Sequence, residues 1–498
     1  MVHTFECLGS AFALDTESGS FFQIDSAVKE IIDEINSPVV LSRGEFACLT
    51  ADANGGDGEN RPTGDGRKAA DANGGKVLER GTLPPSPCVA GVDGRGRESF
   101  CADASERAEA KREVDALIER GVLFSPRVDP AVSKFSGVVK ALCLNISHLC
   151  NLRCAYCFAD GGAYRGKEAN MPLKTACAAV DFLIERSGTR RHLEIDFFGG
   201  EPLLNRQVMK DAVRYIRRRE AETGKVFQLT VTTNAMGLDE DAVDFFNREM
   251  YNVVVSIDGR ESVHNTVRKT VSGGGSFDVA LKNALRFKEK RVGLYYIRGT
   301  YTARNTDFSK DVFYLNDLGF DSLSIEPVVL PADRELALKE AHLPALFAEY
   351  ETLAAGYLER RQKNPAFTFF HFMLDIYNPP CREKLTKGCG AGCEYLAVAP
   401  DGSLYPCHQF DGEAAYRVGN VLDGSFSEEI PRLFSGVNVL TKAACAGCWA
   451  KYYCSGGCNA NAALIGGNIL RPDPVSCALM RKRIECALAV SAIENANT

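Results

Sequence analysis

From Val138 to about residue 329 the chain repeats one unit, an apolar run of strand length followed by a stretch of helical periodicity. The runs are VVKALCLNIS, HLEIDFF, FQLTVTT, NVVVSID, LYYIRGTYT and DSLSIEPVV; RQVMKDAVRYIRRR and SFDVALKNALRFKEK typify the helical stretches between them. Six strands, each followed by a helix, predict an α/β fold with a parallel sheet, closed or partly closed like a TIM-type barrel. In such folds the site lies at the C-terminal ends of the strands.

With 498 residues the chain exceeds one ordinary core, and roughly three domains are expected. At the N-terminus, HTFECLGSAFALD and GSFFQID read as two strands around the turn Asp15–Gly19, followed by a helix from Ser26 to Ile35. Periodicity is then lost. Residues 45–104 are rich in Gly, Asp, Asn and Pro, repeat ADANGG at Ala51–Gly56 and Ala70–Gly75, and read as a flexible low-complexity insertion in which Cys48, Cys88 and Cys101 are unligated. Order resumes at Ser105, read as the N-cap of a helix that carries Val114, Leu117 and Ile118 and ends at Gly121. The predicted units are thus residues 1–44 with 105–134, the barrel over 135–365, and a third unit over 366–498 that begins after a long helix around Leu343–Gln362.

A net charge of −7 gives no general reason to expect nucleic-acid binding. No run of 18 apolar residues occurs, and the start MVHTFECLGS lacks a basic region followed by an apolar stretch, so the chain reads as cytoplasmic and not membrane-bound.

Nineteen cysteines are unevenly placed: ten from Cys381 onward, five between Cys143 and Cys177, four before. In a reducing compartment such clustering points to metal or cluster ligation rather than disulfides. The first strand runs into His148-Leu149-Cys150-Asn151-Leu152-Arg153-Cys154-Ala155-Tyr156-Cys157. Three thiols on one loop, without a fourth ligand nearby, suit a centre with an open position, and a [4Fe-4S] cluster with one free iron meets that count better than structural zinc. His148 is read as packing or hydrogen-bonding locally, and Cys143 and Cys177 as small buried residues.

The pattern C-x3-C-x-aromatic-C, with Tyr156 at the aromatic place, resembles the radical S-adenosylmethionine superfamily. Gly199-Gly200-Glu201-Pro202 after the second strand is similar to the GGEP motif, which in the family holds the amino group of the cofactor's methionine part. Thr233-Asn234 and Ser256-Ile257-Asp258-Gly259 end the next two strands, where the family contacts ribose and carboxylate, and Arg268 matches a carboxylate-binding arginine. The resemblance implies that Cys150, Cys154 and Cys157 hold the catalytic cluster and that Tyr156, Gly199, Gly200, Glu201, Asn234, Ser256, Asp258 and Arg268 line the S-adenosylmethionine site. For Ser256 and Asp258, turn and capping roles stand beside the functional ones.

Cys445, Cys448, Cys454 and Cys458, with Cys389 and Cys407 before and Cys477 after, resemble the SPASM extension of peptide-modifying radical enzymes, which carries two auxiliary [4Fe-4S] clusters. That resemblance assigns Cys445, Cys448, Cys454 and Cys477 to one cluster and Cys389, Cys407 and Cys458 to the other. Cys393 or Cys381 stands as a further ligand of the latter, with an iron left open to a substrate thiolate as the alternative. A zinc-ribbon reading of the C-x2-C and C-x3-C pairs also stands, and Cys486 is assigned to packing.

The N-terminal unit resembles the winged-helix-like element with which ribosomal-peptide-modifying enzymes take up a leader peptide at a sheet edge. Together with KGCGAGCEYLAVAPDGSLYPCHQF, the opening HTFECLGSAFALDTESGSFFQID is similar to the SCIFF maturases, which form thioethers in six-cysteine peptides. The resemblance implies S-adenosylmethionine and three [4Fe-4S] clusters as cofactors. Its implied partners are a cysteine-rich precursor with a leader and an electron donor such as a flavodoxin or ferredoxin. The implied chemistry is abstraction of hydrogen from a peptide backbone carbon by a 5′-deoxyadenosyl radical, bonding of a cysteine sulfur to that carbon, and transfer of an electron to an auxiliary cluster. A formylglycine-generating sulfatase maturase and a zinc-organised binding protein are the competing readings.

Overall fold

Successive residues of a strand point to opposite sides of its sheet, so an apolar run in contact with two layers must satisfy two different neighbourhoods. A computed structural model describes residues 1–37, 104–130, 135–166, 168–374, 376 and 382–496. The insertion predicted over 45–104 lies, apart from Ala104, outside the described residues, as do Cys48, Cys88, Cys101 and Cys381.

The six runs form parallel strands, Ala141–Ser147, His192–Gly199, Val226–Thr233, Asn252–Ser256, Leu294–Tyr301 and Ser322–Pro327, which are neighbours in chain order. The helices after them, Leu173–Arg186, Arg206–Thr223, Glu240–Glu249, Phe277–Lys290, Phe308–Asp317 and Leu343–Lys363, cover one face of the sheet. Leu142, Leu144, Ile195, Phe197, Leu229, Val231, Val253, Val255, Ile297, Leu323 and Ile325 pack there with helix residues such as Val180, Val213, Phe246 and Leu353 in the main core. The alternate residues, among them Cys143, Asn145, Asp196, Thr230, Ser256, Arg298 and Ser324, face the other side, in register from strand to strand. The polar inner face and the apolar outer face are thus two phases of one period. Helix starts obey local chemistry: Asp239 caps Glu240–Glu249 by accepting from the Ala242 N–H at 3.0 Å. Among the described residues no helix is long and apolar enough to cross a membrane.

The sheet does not stop at residue 366. Thr368–Phe369 pairs parallel with Ser322–Pro327, and at the opposite side Tyr395–Val398 pairs parallel with Ala141–Ser147, followed by the antiparallel strands Ser403–Tyr405, Gly419–Asn420 and Ser425–Phe426. Among the described residues the sheet has eleven strands, and its two end strands do not pair with each other, so it is open. The first barrel strand therefore has a neighbour on either side.

At the N-terminus the structure has three strands where the sequence suggested two. Val2–Cys7, Ser10–Asp15 and Phe21–Ile24 form an antiparallel sheet, because Leu8 and Gly9, both at positive φ (54° and 76°), fold the first predicted strand into a hairpin. Asp25 caps the helix Ser26–Asn36. The second helix is Ala104–Glu119, so Ser105 lies inside it rather than at its cap. Val28, Ile31, Ile32, Ala110 and Val114 form a small core on one face of this sheet. The other face, with Phe5, Cys7, Phe12 and Leu14, joins the main core.

The unit is docked onto the C-terminal third. His3 stacks on Trp449 with ring centroids 3.9 Å apart and reaches Glu485 at 2.9 Å, while the Thr16 hydroxyl donates to the Trp449 carbonyl at 3.3 Å. Lys451 donates to Glu17 at 2.6 Å, each side chain 4% exposed. Cys7 and Cys486 meet with their sulfurs 3.8 Å apart, so Cys486 packs where Pro474–Ala496 crosses the first strand. Removing one partner of a buried ion pair leaves the other charge uncompensated. Lys451→Met should therefore destabilise the docked unit by about 3–5 kcal/mol, read as a lower urea midpoint and as faster limited proteolysis within residues 1–37; an unchanged midpoint would contradict this account of the docking.

Candidate active site

The loop after Ala141–Ser147 carries Cys150, Cys154 and Cys157 and is fastened on two sides. Leu152–Cys154 pairs antiparallel with Arg268–Thr270, which sets Cys154 opposite Arg268. On the other side the Gly200 N–H donates to the Ser147 carbonyl at 2.7 Å and the Glu201 N–H to the Leu149 carbonyl at 2.9 Å. This approach is closer than any side chain would allow. A β-carbon on Gly199, whose φ is +126°, would lie 2.3 Å from the Ser147 oxygen, and one on Gly200 would lie 2.3 Å from the Leu149 oxygen and 3.1 Å from the Cys150 β-carbon.

The Glu201 carboxylate accepts from the Leu203 N–H at 3.0 Å and the Thr233 hydroxyl at 2.7 Å through one oxygen and from the Asn234 N–H at 2.8 Å through the other. Burial raises its pKa against these bonds. Asn234 donates to Asn151 at 2.7 Å and lies 3.8 Å from the Cys150 sulfur. Glu201 and Asn234 thereby tie the second and third barrel strands to the cysteine loop.

Tyr156 of the cysteine loop and Arg268, which opens the strand paired with that loop, meet Asp258 just past the end of the fourth strand. The Tyr156 hydroxyl donates to Asp258 at 2.6 Å, and Arg268 Nε lies 3.1 Å from the same oxygen without hydrogen-bond alignment. Burial works against the Arg268 charge, but Asp258 beside it holds the guanidinium firmly protonated; burial also pushes Tyr156 well above its ordinary value, keeping it a donor. Burial and the Arg268 charge lower His264 to about 4, so its ring is neutral. The network assigns its tautomer: Nδ1 accepts from the Asp258 N–H at 3.4 Å, Nε2 donates to Ser276 at 3.0 Å, and the Ser276 hydroxyl donates to the Arg268 carbonyl at 2.6 Å. Asp258 thus takes part in a network rather than a simple turn. Ser256, at the end of its strand, makes no side-chain hydrogen bond among the described residues and stands across from Arg298.

Several residues of this region escaped the sequence. His148 does not bond locally: it reaches Asp411 at 2.9 Å and stacks on Tyr164, and Asp411 also accepts from Asn145 at 2.5 Å. Phe158, next after Cys157, contacts the ring of His408, next after Cys407, with centroids 5.4 Å apart; His408 also packs on Phe198. The inner face adds the pair Arg298–Glu326 at 3.1 Å, His371 beside Ser324 at 3.1 Å, and Asp196 bonded to Thr230, its pKa raised by burial. Strand alternation is the signal that could have found Asp196, Arg298 and Glu326; nothing in the sequence marked Asp411.

In the C-terminal third, Cys445, Cys448, Cys454 and Cys477 lie within electrostatic reach of one another, and so do Cys389, Cys407 and Cys458. Cys393 is close to Cys389, but its thiol donates to the Pro431 carbonyl at 3.4 Å and sits with Phe410 and Phe434 in a small apolar cluster. Cys143 is buried on the inner face of the first strand, and Cys177 is half-buried on Leu173–Arg186.

The donor sets suit clusters. Burial pushes Cys150 up to about 12 and Cys154 to about 11, so both stay protonated near neutral pH unless a bound cationic centre offsets the cost. Among the described residues no three His, Cys, Asp or Glu side chains close on a single metal ion, an arrangement that a multi-iron centre does not require. The buried, unaligned Nε of Arg268 fits an anionic group of an amino-acid-like ligand beside the cysteine loop.

Residues 144–300 match the model of the Radical SAM superfamily. The chain is 25% identical over 334 residues to a cysteine-type anaerobic sulfatase-maturating enzyme of Clostridium novyi, covering 63% of this chain and 85% of that enzyme. It is 23% identical to the radical SAM cyclopropyl synthase TigE of Paramaledivibacter caminithermalis, covering 69% of this chain and 72% of that one. Native anSMEcpe with bound AdoMet has a similar fold, with a TM-score of 0.60 and 20% identity over 72% of this chain and 100% of that one. These likenesses set aside the zinc-organised binding protein. The α/β domain with its parallel sheet, the match over residues 144–300 and the similarity to maturating enzymes agree that the chain is an enzyme with a radical SAM domain over those residues.

Proposed function

We propose that the enzyme is a peptide maturase that forms thioether cross-links, cysteine sulfur to backbone carbon, within a cysteine-rich precursor. The observation that carries this reading is the N-terminal unit, whose Phe21–Ile24 strand pairs on one side only among the described residues and whose other elements are docked against Trp449 and Lys451, between Cys448 and Cys454. An unpaired strand edge is a peptide-binding element. This arrangement supports a leader-bearing substrate handled next to an iron–sulfur segment.

Each cross-link removes two hydrogens from the peptide: a hydrogen atom from carbon, and a proton and an electron from the thiol. When bound, S-adenosylmethionine with a cluster on Cys150, Cys154 and Cys157 supplies a hydrogen-abstracting radical, and clusters on Cys389, Cys407, Cys445, Cys448, Cys454, Cys458 and Cys477 supply an electron acceptor. The chain's own residues position the parts. Gly199 and Gly200 keep the backbone close to the cysteine loop, Glu201 and Asn234 hold that loop to the sheet, and Arg268 offers a cation to the cofactor's carboxylate. Ser256 offers a free hydroxyl, and the polar inner face from Asp196 to Glu326 receives the peptide.

A second reading, conversion of a cysteine to formylglycine, draws support from the sulfatase-maturating relatives. Mass spectrometry of a co-expressed cysteine-rich peptide separates the two: loss of two hydrogens per link with sulfur retained supports thioethers, whereas loss of cysteine sulfur rejects them.

Three further outcomes are expected. Alanine at Cys150, Cys154 and Cys157 together should abolish 5′-deoxyadenosine formation, while Cys448→Ala should retain some cofactor cleavage and lose cross-linking, both read by chromatography of the reaction. Gly200→Ala should displace the loop and lower 5′-deoxyadenosine formation at least tenfold, with iron content reporting whether the first cluster is lost. Cys393→Ser should keep the iron content of the reconstituted protein, about twelve per chain for three [4Fe-4S] clusters, whereas Cys407→Ser should lower it; loss of iron from Cys393→Ser would make Cys393 a ligand.

A further inference from the structure

Among the described residues two lysines are buried, and they differ in their neutralisation. Lys451 is paired with Glu17. Lys442, 1% exposed, donates only to neutral acceptors, the Gly456 carbonyl and the Asn459 side-chain oxygen, each at 2.8 Å. No carboxylate pairs with it among the described residues. A buried ammonium held by neutral groups alone is costly, and negative charge brought close to it would offset that cost. Around it stand the thiols of Cys445, Cys454 and Cys477 from one group and Cys458 from the other. Its two acceptors flank the passage from Cys454 to Cys458, where the chain leaves one thiol group for the other, and its own carbonyl accepts from the Cys445 N–H at 2.8 Å.

We propose that Lys442 is the shared counter-cation of the two auxiliary clusters, raising both reduction potentials. The inference rests on the reading of seven cysteines as ligands of two such clusters. Cysteine-ligated [4Fe-4S] centres carry net negative charge that grows by one on reduction, so a fixed cation in a dry site favours the reduced form. The electron taken from the peptide would then be accepted more readily at this end of the molecule, with no change to the cysteine loop of the barrel.

The test is a redox titration of the reconstituted full-length enzyme followed by electron paramagnetic resonance, with Lys442→Gln, which keeps a donor and removes the charge, and Lys442→Arg, which keeps the charge. With auxiliary iron retained, Lys442→Gln should shift the reduction equilibrium of at least one auxiliary cluster about tenfold toward the oxidised form, about 59 mV lower for one electron, while Lys442→Arg stays near the parent. Unchanged potentials in Lys442→Gln overturn the proposal. If Lys442→Gln loses auxiliary iron, retention by Lys442→Arg supports the need for charge, and loss by both reduces the residue to a shape requirement and overturns it. An iron content of about four in the parent enzyme is a different failure, because it removes the auxiliary clusters themselves and with them the premise.

Discussion

Glu201 carries a carboxylate that is 1% exposed, and it is held in that position by three donors from two segments: Leu203 after its own strand, and Thr233 and Asn234 at the end of the next. Hydrogen bonds to an ionised group are worth about 1.5–3 kcal/mol each, and here they must offset the burial that raises the carboxyl's pKa. Its backbone N–H is bonded in turn to Leu149, one residue before Cys150. One residue therefore fixes the height of the cysteine loop relative to three strand ends. Asn234, beside Cys150, inherits its position from that tie.

The same logic extends across the first barrel strand. Because Tyr395–Val398 pairs with Ala141–Ser147, the segment bearing Cys389 and Cys407 hangs from the strand that delivers Cys150, Cys154 and Cys157. Asp411 closes the connection by binding Asn145 and His148 together, a buried polar network whose members satisfy one another. Residues from the two cysteine regions then touch directly, Phe158 against His408. The relation between them is built from a parallel strand pair, a charged hydrogen-bonded knot and an aromatic contact, none of which tolerates sliding.

How much of this was legible in the sequence depends on the range of the forces involved. The six barrel strands declared themselves because an apolar run of strand length followed by a helical stretch is a local pattern, but the inner-face roles of Asp196, Arg298 and Ser324 emerged only from the register of the strands. The cysteine triplet and the glycine pair stood out because each is a set of fixed residue types at fixed spacing, whereas the close backbone approach that requires Gly199 and Gly200 emerged only from the structure. The Leu8–Gly9 hairpin was not legible, since a leucine at positive φ lacks the usual turn signature and the flanking apolar residues read as one strand. Asp411 was invisible for a different reason: it meets His148 across 263 positions, and no periodicity relates the two. Glu201 was named by its motif, but its tie to Thr233 and Asn234 was not legible, because a motif fixes which residue is present and not which neighbours its side chain binds.

The docking of the N-terminal unit gives these local facts a direction. Its sheet lends one face to a small core of its own and the other to the main core, so it cannot shift without exposing Phe5, Phe12 and Leu14. The polar contacts of that interface fall at Trp449 and Lys451, which lie between two cysteines of one auxiliary group, and at Glu485 on the helix that begins just before Cys477. A buried ion pair at such a seam adds orientation more than stability, since apolar contacts there would hold as well but could settle in more than one register. Under the proposed function, a leader seated on the free edge of that sheet is referred, through rigid contacts alone, to the cysteines that receive the electron, so the recognition unit and the acceptor are positioned as one body.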